Sequence, residues 1–177
     1  MNLFCRLFLG AAFAASAAVW ADDDVVKDPI DTPQAVSRWY NAKAMQFLPN
    51  GGPEGKPAVK LVSTDVKKGV GCELQLDIEK IRGKLVEVTA DIKGENVTQP
   101  PKPYLGVKLM FRVDLADGKI DYPDIAPAAK KIGSFDWTEY KVKTRIPADA
   151  KSARLVIGLQ ESTGTVCYSD LEIEVED

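Results

Sequence analysis

The sequence predicts an all-β protein, a two-sheet antiparallel β-sandwich of about eight strands over residues 56–177. Three observations lead to this fold class. Apolar and polar residues alternate with a period of two through most of this region, which is typical of strands with one buried and one solvated face. Turn signals separate the runs, and no linker or internal repeat divides them. Strands with one apolar face must cover it with a second sheet, so we expect a sandwich.

The first four predicted strands each carry a set of alternating apolar residues. Strand one contains Val59 and Leu61, and strand two is the most regular, from Val70 to Glu79. Strand three alternates over residues 86–93, and strand four, the longest, runs from Leu105 to Leu115. The polar residues between these positions are expected on the solvated faces of the sheets.

The remaining four strands follow turn signals. Asp117-Gly118 predicts a tight turn that leads into a short fifth strand at Lys119–Tyr122. Strands six, seven and eight alternate over Tyr140–Ile146, Leu155–Gln160 and Cys167–Val175. The chain therefore ends in a meander of strands rather than in a helix.

Two further segments precede the sandwich. Residues 1–21 have one charge, Arg6, before an apolar run from Leu7 to Val19, and Val19-x-Ala21 fits a small-residue cleavage site. These features predict a secretory signal peptide, because an apolar run of about 13 residues is too short to span a bilayer. Residues 22–55 are rich in Pro and Gly and are expected to pack on the sandwich as an irregular segment. We expect the protein to be secreted or periplasmic.

The composition excludes several kinds of function. The formal net charge is −3, and the chain has no histidine. A mildly acidic chain is a poor candidate for binding nucleic acid, which rewards clustered Lys and Arg, and no stretch has the basic amphipathic pattern of a membrane-surface helix. Without histidine, neither a Ser-His-Asp triad nor a His-ligated zinc site can form. We expect no enzymatic activity and no catalytic residues.

The order of the strands predicts the composition of each sheet. In an eight-stranded jelly roll, successive strands largely exchange sheets, so strands one, three, six and eight form one sheet and strands two, four, five and seven form the other. Cys72 and Cys167 then lie in opposite sheets, both at core-facing positions. Two cysteines in a secreted chain favour a disulfide, so we expect one between Cys72 and Cys167, with two buried free thiols as the alternative.

Four segments carry a resemblance to a known family. They are Gly83–Lys93 (GKLVEVTADIK), Gly133–Tyr140 (GSFDWTEY), Ile146–Ala150 (IPADA) and Gly164–Leu171 (GTVCYSDL). They resemble the strands and turns of the galactose-binding-like jelly-roll carbohydrate-binding modules that are appended to secreted xylanases and cellulases. The resemblance covers roughly residues 55–177. It implies a non-catalytic domain that binds a polysaccharide or oligosaccharide and associates with a glycoside hydrolase.

The resemblance also implies where a ligand binds. In such relatives the solvent face of one concave sheet takes the glycan, and the sheet of strands two, four, five and seven corresponds to it. Polar side chains there suit sugar hydroxyls, which both donate and accept hydrogen bonds, and aromatic rings can cover a pyranose face. The predicted ligand-binding residues are Gln75, Lys108, Arg112, Gln160, Arg154, Tyr122, Tyr104 and Trp39. An ordinary solvated sheet face is the alternative.

One metal position and two other functions remain open. Asp170 matches a calcium ligand of the relatives, so the resemblance implies a structural calcium there. A single carboxylate does not satisfy a cation that takes six to eight oxygens, and the alternative is an ion pair or a cap near the strand end. The chain could also be a structural or protein-binding secreted jelly roll without a glycan ligand, or a glycosidase built on Glu73, Asp77 and Asp114.

Overall fold

The computed structural model describes residues 24–26, 29–123 and 127–176, which form two antiparallel β-sheets packed face to face. The predicted signal peptide, residues 1–21, lies outside the described residues. The strands are β1 (Asp24–Val26), β2 (Gln46–Leu48), β3 (Ala58–Ser63), β4 (Val70–Gln75), β5 (Leu85–Val97), β6 (Gly106–Leu115), β7 (Ile120–Asp121), β8 (Gly133–Arg145), β9 (Ala150–Gln160) and β10 (Gly164–Glu176). The helices are α1 (Pro33–Val36), α2 (Ile78–Ile81) and the 3-10 turns Ala42–Ala44, Pro53–Gly55 and Pro127–Lys130. Within these ranges, no helix has the length and apolar character that crossing a membrane requires.

The sheet composition follows the predicted strand order. The first sheet has the order β2-β3-β10-β5-β8, with β1 also paired to β10, and the second sheet has the order β4-β9-β6-β7. The predicted strands one, three, six and eight are β3, β5, β8 and β10, and the other four are β4, β6, β7 and β9. The predicted β-sandwich and the distribution of strands between its sheets are therefore confirmed. The alternation is informative because a slip of one residue would turn every apolar side chain of a strand towards water.

A single apolar core lies between the sheets, and one tyrosine crosses it. The largest fully buried side chains include Leu61, Ile92, Ile146 and Leu171 of the first sheet and its connections, and Leu109, Phe111, Leu155 and Ile157 of the second sheet. Tyr168 of β10 is fully buried. Its hydroxyl donates to the carbonyl oxygen of Lys108 at 2.6 Å and accepts from the N–H of Gly158 at 3.0 Å. Lys108 and Gly158 lie opposite each other on β6 and β9. The Tyr168 side chain of the first sheet is therefore hydrogen-bonded to the backbone of the second sheet.

The N-terminal segment is more regular than predicted, because it adds a strand to the first sheet. β2 pairs with β3, and Phe47 lies opposite Val59. Thr32 caps α1 by accepting a hydrogen bond from the N–H of Ala35 at 3.1 Å. Trp39 follows and is 3% exposed, with its indole N–H donating to the carbonyl oxygen of Pro29 at 2.8 Å. The segment therefore covers one part of the core.

The predicted second strand is shorter in the structure. β4 ends at Gln75, and the residues up to Ile81 form the single turn α2. Asp77 starts this turn, since its carboxylate accepts a hydrogen bond from the N–H of Glu79 at 3.2 Å. An Asp just before a helix favours the helix over a strand, because its carboxylate accepts from an N–H that would otherwise lack a partner. The alternation of apolar residues gives no indication of this cap.

A β-bulge in β10 changes which side chains face the core. Asp170 has a φ of 50°, and the pairing of β10 with β5 shifts between Ser169 and Glu172. Tyr168 before the bulge and Leu171 after it both enter the core, although they are three residues apart. Such an extra residue reverses the in-and-out order of a strand.

The predicted disulfide is absent, because the bulge places Cys167 on the outer face of its sheet. Cys72 belongs to the apolar core, whereas Cys167 lies opposite Lys60 and Lys93 of the neighbouring strands. Both cysteines are free and buried. The expectation that both have core-facing positions is wrong for Cys167, and the alternative of two buried thiols describes the structure.

We expect the change Tyr168→Phe to lower the free energy of unfolding by about 1–3 kcal/mol, because it leaves the N–H of Gly158 and the carbonyl of Lys108 without this partner in the core. The measurement is urea unfolding. Tyr140→Phe is the matched control, because Tyr140 is 6% exposed and its hydroxyl has no hydrogen-bond partner among the described residues. Equal losses for the two variants would contradict this role of the Tyr168 hydroxyl.

We expect reducing agents to leave the thermal unfolding of a protein comprising residues 22–177 unchanged, since Cys72 and Cys167 are free. Burial raises the pKa of the Cys72 thiol to about 12 and also raises the pKa of Cys167, so thiolates are scarce at pH 8. Iodoacetamide should therefore label the folded protein slowly and label both thiols after denaturation. A disulfide closing this loop would contribute on the order of 4 kcal/mol, so a lower Tm after reduction would contradict the structure.

Candidate functional site

The outer face of the second sheet forms an open groove with a low floor. The strand register aligns residues in rows across the sheet, and one row consists of Gly71 on β4, Gly158 on β9 and Lys108 on β6. The next row consists of Glu73, Val156 and Met110. A Cβ atom added to Gly71 would meet no atom within 4 Å, so open space lies above this position. Gly71 thus leaves a depression in the floor, whereas at Gly158 the carbonyl oxygen of Val70 already occupies the space that a side chain would need.

The groove continues beyond this depression on both sides. One end has a volume of about 570 Å³ and is lined by Arg38, Tyr40, Glu73, Gln75, Arg112 and Arg154. The centre, of about 260 Å³, is lined by Lys68, Gly69, Val70, Gly71, Glu73, Lys108, Met110, Arg112, Tyr122, Val156, Leu159 and Gln160. The other end, of about 260 Å³, is lined by Tyr104, Leu105, Lys108, Met110, Tyr122 and Gln160. Neighbouring parts share lining residues, so they form one continuous surface, which we call the groove.

Two arginines of the groove form a network with two carboxylates, of which Glu73 lines the groove and Asp114 lies beside it. Arg112 and Arg154 lie directly opposite each other on β6 and β9. Glu73 accepts from Arg154 at 3.1 Å and lies 3.8 Å from Arg112. Asp114 lies 3.4 Å from Arg112 and 3.5 Å from Arg154. The carboxylates therefore offset the repulsion that two facing guanidinium groups would otherwise cause.

The same network fixes the protonation of Asp114. The hydroxyl of Ser152 donates to Asp114 Oδ2 at 2.7 Å. This hydrogen bond, together with Arg112 and Arg154, holds the pKa of Asp114 below its ordinary value. Asp114 is therefore a stable carboxylate and a poor proton donor at neutral pH.

The cationic side chains of the groove differ in how their donors are engaged. Arg112 Nε is buried and has no acceptor among the described residues. Arg154 Nε donates to the side-chain oxygen of Gln75 at 3.2 Å, which orients that amide. Lys108 is 6% exposed, and its Nζ donates to the carbonyl oxygen of Tyr104 at 2.6 Å. Burial lowers the pKa of Lys108, and Glu161 acts in the opposite direction.

Three aromatic rings stand at the edges of the groove. Tyr40 is 75% exposed and lies beside the outer edge of β4, where its backbone pairs with that of Glu73. Tyr122 follows β7 on the opposite side of the sheet, and Tyr104 precedes β6. Exposed rings of this kind provide flat amphipathic surfaces against which a ligand can pack.

The structure brings together seven of the eight predicted ligand-binding residues. Those that line the groove are Gln75, Lys108, Arg112, Gln160, Arg154, Tyr122 and Tyr104. Trp39 does not line it, because its ring is buried in the core and its indole N–H bonds to Pro29.

Sequence reasoning missed Arg38 and Gly71 as parts of the groove, and of the neighbouring rings Trp39 and Tyr40 it selected Trp39 as the ligand-binding residue. Arg38 and Tyr40 flank the buried Trp39 and face the opposite way, but the segment has no periodicity that would have separated the inner ring from the outer one. Gly71 lies on the polar face of its strand and has no side chain that would indicate ligand binding. Its missing side chain nevertheless shapes the floor of the groove.

The predicted calcium position carries an ion pair. Asp170 Oδ2 lies 2.6 Å from Lys56 Nζ, so an ammonium group already supplies positive charge at this carboxylate. Throughout the part of the chain that the structure describes, no three Asp, Glu or Cys side chains cluster in a way that would hold a metal ion. Calcium binding at Asp170 stays a prediction that this ion pair does not favour.

Comparison with known proteins gives fold relatives only at low sequence identity. No family model matches the chain, and no curated protein matches it. The chain is similar to the structure of the family 22 carbohydrate-binding and family 10 glycoside hydrolase modules of Clostridium thermocellum xylanase 10B in complex with xylohexaose. The TM-score is 0.63 at 17% identity, over 89% of this chain and 29% of that one.

Two isolated modules match over a larger share of their own length. One is the C-terminal family 22 carbohydrate-binding module of the same Clostridium thermocellum xylanase, with a TM-score of 0.61 at 14% identity, over 88% of this chain and 96% of that one. The other is the xylan-binding module of Paenibacillus barcinonensis xylanase 10C, with a TM-score of 0.55 at 12% identity, over 74% and 80%. The chain therefore has the jelly-roll β-sandwich fold found in carbohydrate-binding modules.

Proposed function

We propose that this protein is a non-catalytic, secreted glycan-binding protein that holds a polysaccharide or oligosaccharide chain in the groove across β4, β9 and β6. The observation that carries the proposal is the groove itself, an open and continuous surface with Gly71 in its floor and exposed rings at its edges. A groove open at both ends suits an extended chain molecule, whereas an enclosed pocket suits a compact ligand.

The lining chemistry supports a sugar ligand. The exposed amide of Gln160 can both donate to and accept from hydroxyl groups, whereas the amide of Gln75 is already hydrogen-bonded to Leu76, Ala153 and Arg154. Tyr40 and Tyr122 can cover the apolar face of a pyranose while their hydroxyls stay wet. The relatives in fold include a xylan-binding module and a xylanase fragment, with carbohydrate-binding and hydrolase modules together, that was solved with xylohexaose, which supports a glycan ligand.

The carboxylates of the arginine network suit binding better than catalysis. A glycosidase needs one carboxylic acid whose pKa is raised so that it can protonate the leaving oxygen. Here the pKa of Asp114 is lowered by Ser152 and the two arginines, and Glu73 is engaged by the same arginines. Asp77, the third acid considered from the sequence, caps α2.

Secretion and a partner enzyme belong to the same proposal. The signal peptide predicted at residues 1–21 would direct the protein to the periplasm or the cell exterior, where polysaccharides are encountered. One of the fold relatives is solved with a glycoside hydrolase module in the same chain. Association with a glycoside hydrolase would place such an enzyme close to the bound glycan.

We expect the change Gly71→Leu to abolish glycan binding without loss of stability. The backbone of Gly71 does not have a positive φ, and a side chain there would project into open space above the floor of the groove. The measurement is a microarray of neutral and acidic polysaccharides, followed by titration with the best ligand. Val62→Leu is the control, because Val62 is 50% exposed on a strand of the other sheet. Unchanged binding by a folded Gly71→Leu protein would contradict the proposed site.

We also expect Tyr40→Ala and Tyr122→Ala each to weaken binding of that ligand about fivefold, because each removes a ring surface that contributes about 1 kcal/mol. Tyr40→Phe should retain most of the affinity, since the ring remains. Ile132→Ala is the matched control, because Ile132 is 49% exposed and does not line the groove. The measurement is isothermal titration calorimetry, and the proposal predicts that the control binds like the unmodified protein.

A further inference from the structure

The groove is positively charged, although the protein as a whole has a negative net charge. The chain has 26 acidic and 23 basic residues, yet five cationic side chains line the groove against one carboxylate. The cations are Arg38, Lys68, Lys108, Arg112 and Arg154, and the carboxylate is Glu73. Asp114 lies beside the two central arginines without lining the groove. A cleft lined mostly by one sign of charge concentrates field there and attracts ligands of the opposite sign.

The internal ion pairs neutralise only the centre of this surface. Glu73 and Asp114 together balance Arg112 and Arg154. Arg38 is exposed, its Nε bonds to the carbonyl of Ala35 at 3.5 Å, and in the described ranges no carboxylate forms an ion pair with it. The surplus of positive charge is therefore greatest where Arg38 meets the arginine pair.

The cations at the other end are also incompletely balanced. The hydrogen bond of the Lys108 ammonium is to a neutral carbonyl, and Glu161 acts on it only at longer range. Lys68 lies 3.9 Å from Asp65 and is 84% exposed, so this pair is weak. Positive charge thus accompanies the whole length of the groove.

We infer that the ligand is an anionic glycan, whose carboxylate or sulfate substituents bind at the Arg38 end of the groove. The inference rests on the proposed function and specifies its ligand class. A neutral glycan needs donors and acceptors but no net charge, so it would leave Arg38 and Lys108 without compensation. Guanidinium groups hold carboxylate and sulfate oxygens with charge-assisted hydrogen bonds, and these are stronger than bonds to neutral hydroxyls.

The Arg38 end also has the shape for an acidic sugar. It holds about 570 Å³, the largest volume of the three parts of the groove, and combines the Tyr40 ring with the guanidinium groups of Arg38, Arg112 and Arg154. A ring for the sugar face and cations for its charged substituent lie within the same cavity.

The test compares glycans that differ only in charge, using the full secreted chain. The matched pairs are glucuronoxylan with its carboxyl-reduced form, polygalacturonate with its methyl ester, and chondroitin sulfate with its desulfated form. We expect the charged member of at least one pair to bind about tenfold more tightly than its neutral partner, with affinity that falls as NaCl is raised. The first two pairs test carboxylate and the third tests sulfate. Equal binding within every pair would overturn the inference.

Variants of Arg38 locate the effect. Arg38→Gln should weaken binding of the preferred charged glycan about fivefold and leave its neutral partner unaffected, because only the charged ligand loses an ionic contact. Arg38→Lys should restore part of the affinity. Lys60→Gln removes the same charge from a strand of the other sheet and serves as the control. If Lys60→Gln weakened binding as much as Arg38→Gln, a diffuse field would explain the preference and the assigned position would be wrong.

Failure of the inference and failure of the proposed function give different results. If neutral glycans bind as tightly as charged ones and Gly71→Leu blocks both, the groove binds glycans but not through charge. If no glycan of any pair binds, both the proposed function and the inference are wrong.

Discussion

The hydroxyl of Tyr168 is the contact on which both the sandwich and the groove depend. It extends from the first sheet through the core to the backbone of Lys108 and Gly158 in the second. These two residues belong to the row that forms the floor of the groove on the opposite face. The hydroxyl holds the backbone of Gly158 from the core side, where a glycine in the interior of a strand would otherwise weaken that strand. The same hydrogen bonds therefore join the core to the strands that carry the groove.

The charges of the groove are ordered by the strand register in a similar way. Pairing of β6 with β9 forces Arg112 and Arg154 to face each other, which is costly without nearby anions. Glu73 on β4 and Asp114 on β6 provide them and hold the guanidinium groups in place before any ligand arrives. A site whose donors are already oriented loses less conformational entropy on binding. The carboxylates thus act as supports for the arginines.

The sequence was most informative where periodicity was strict. Alternation identified β3 to β10 and assigned each to the correct sheet, and it placed Arg112, Arg154 and Gln75 on one solvated face. It failed in β10, because an extra residue at Asp170 reverses the parity and turns Cys167 away from Cys72. It also failed before β3, where no repeat distinguishes the buried Trp39 from the exposed Tyr40. The glycine at position 71 did not indicate a binding site, because a glycine in a sequence can mean either a flexible backbone or space for a ligand.

The bulge at Asp170 shows how these failures connect. A non-glycine residue with positive φ is strained, so its neighbours must compensate. Lys56 pairs with the Asp170 carboxylate, and the hydroxyl of Ser169 donates to the carbonyl of Pro57 at 2.7 Å. These contacts fix the start of β3 against β10. They also allow both Tyr168 and Leu171 to enter the core. As a result, two large side chains of β10 are buried in the core, and Cys167 faces away from it. The sandwich is therefore held by packing and by the Tyr168 hydroxyl rather than by a covalent link between its sheets.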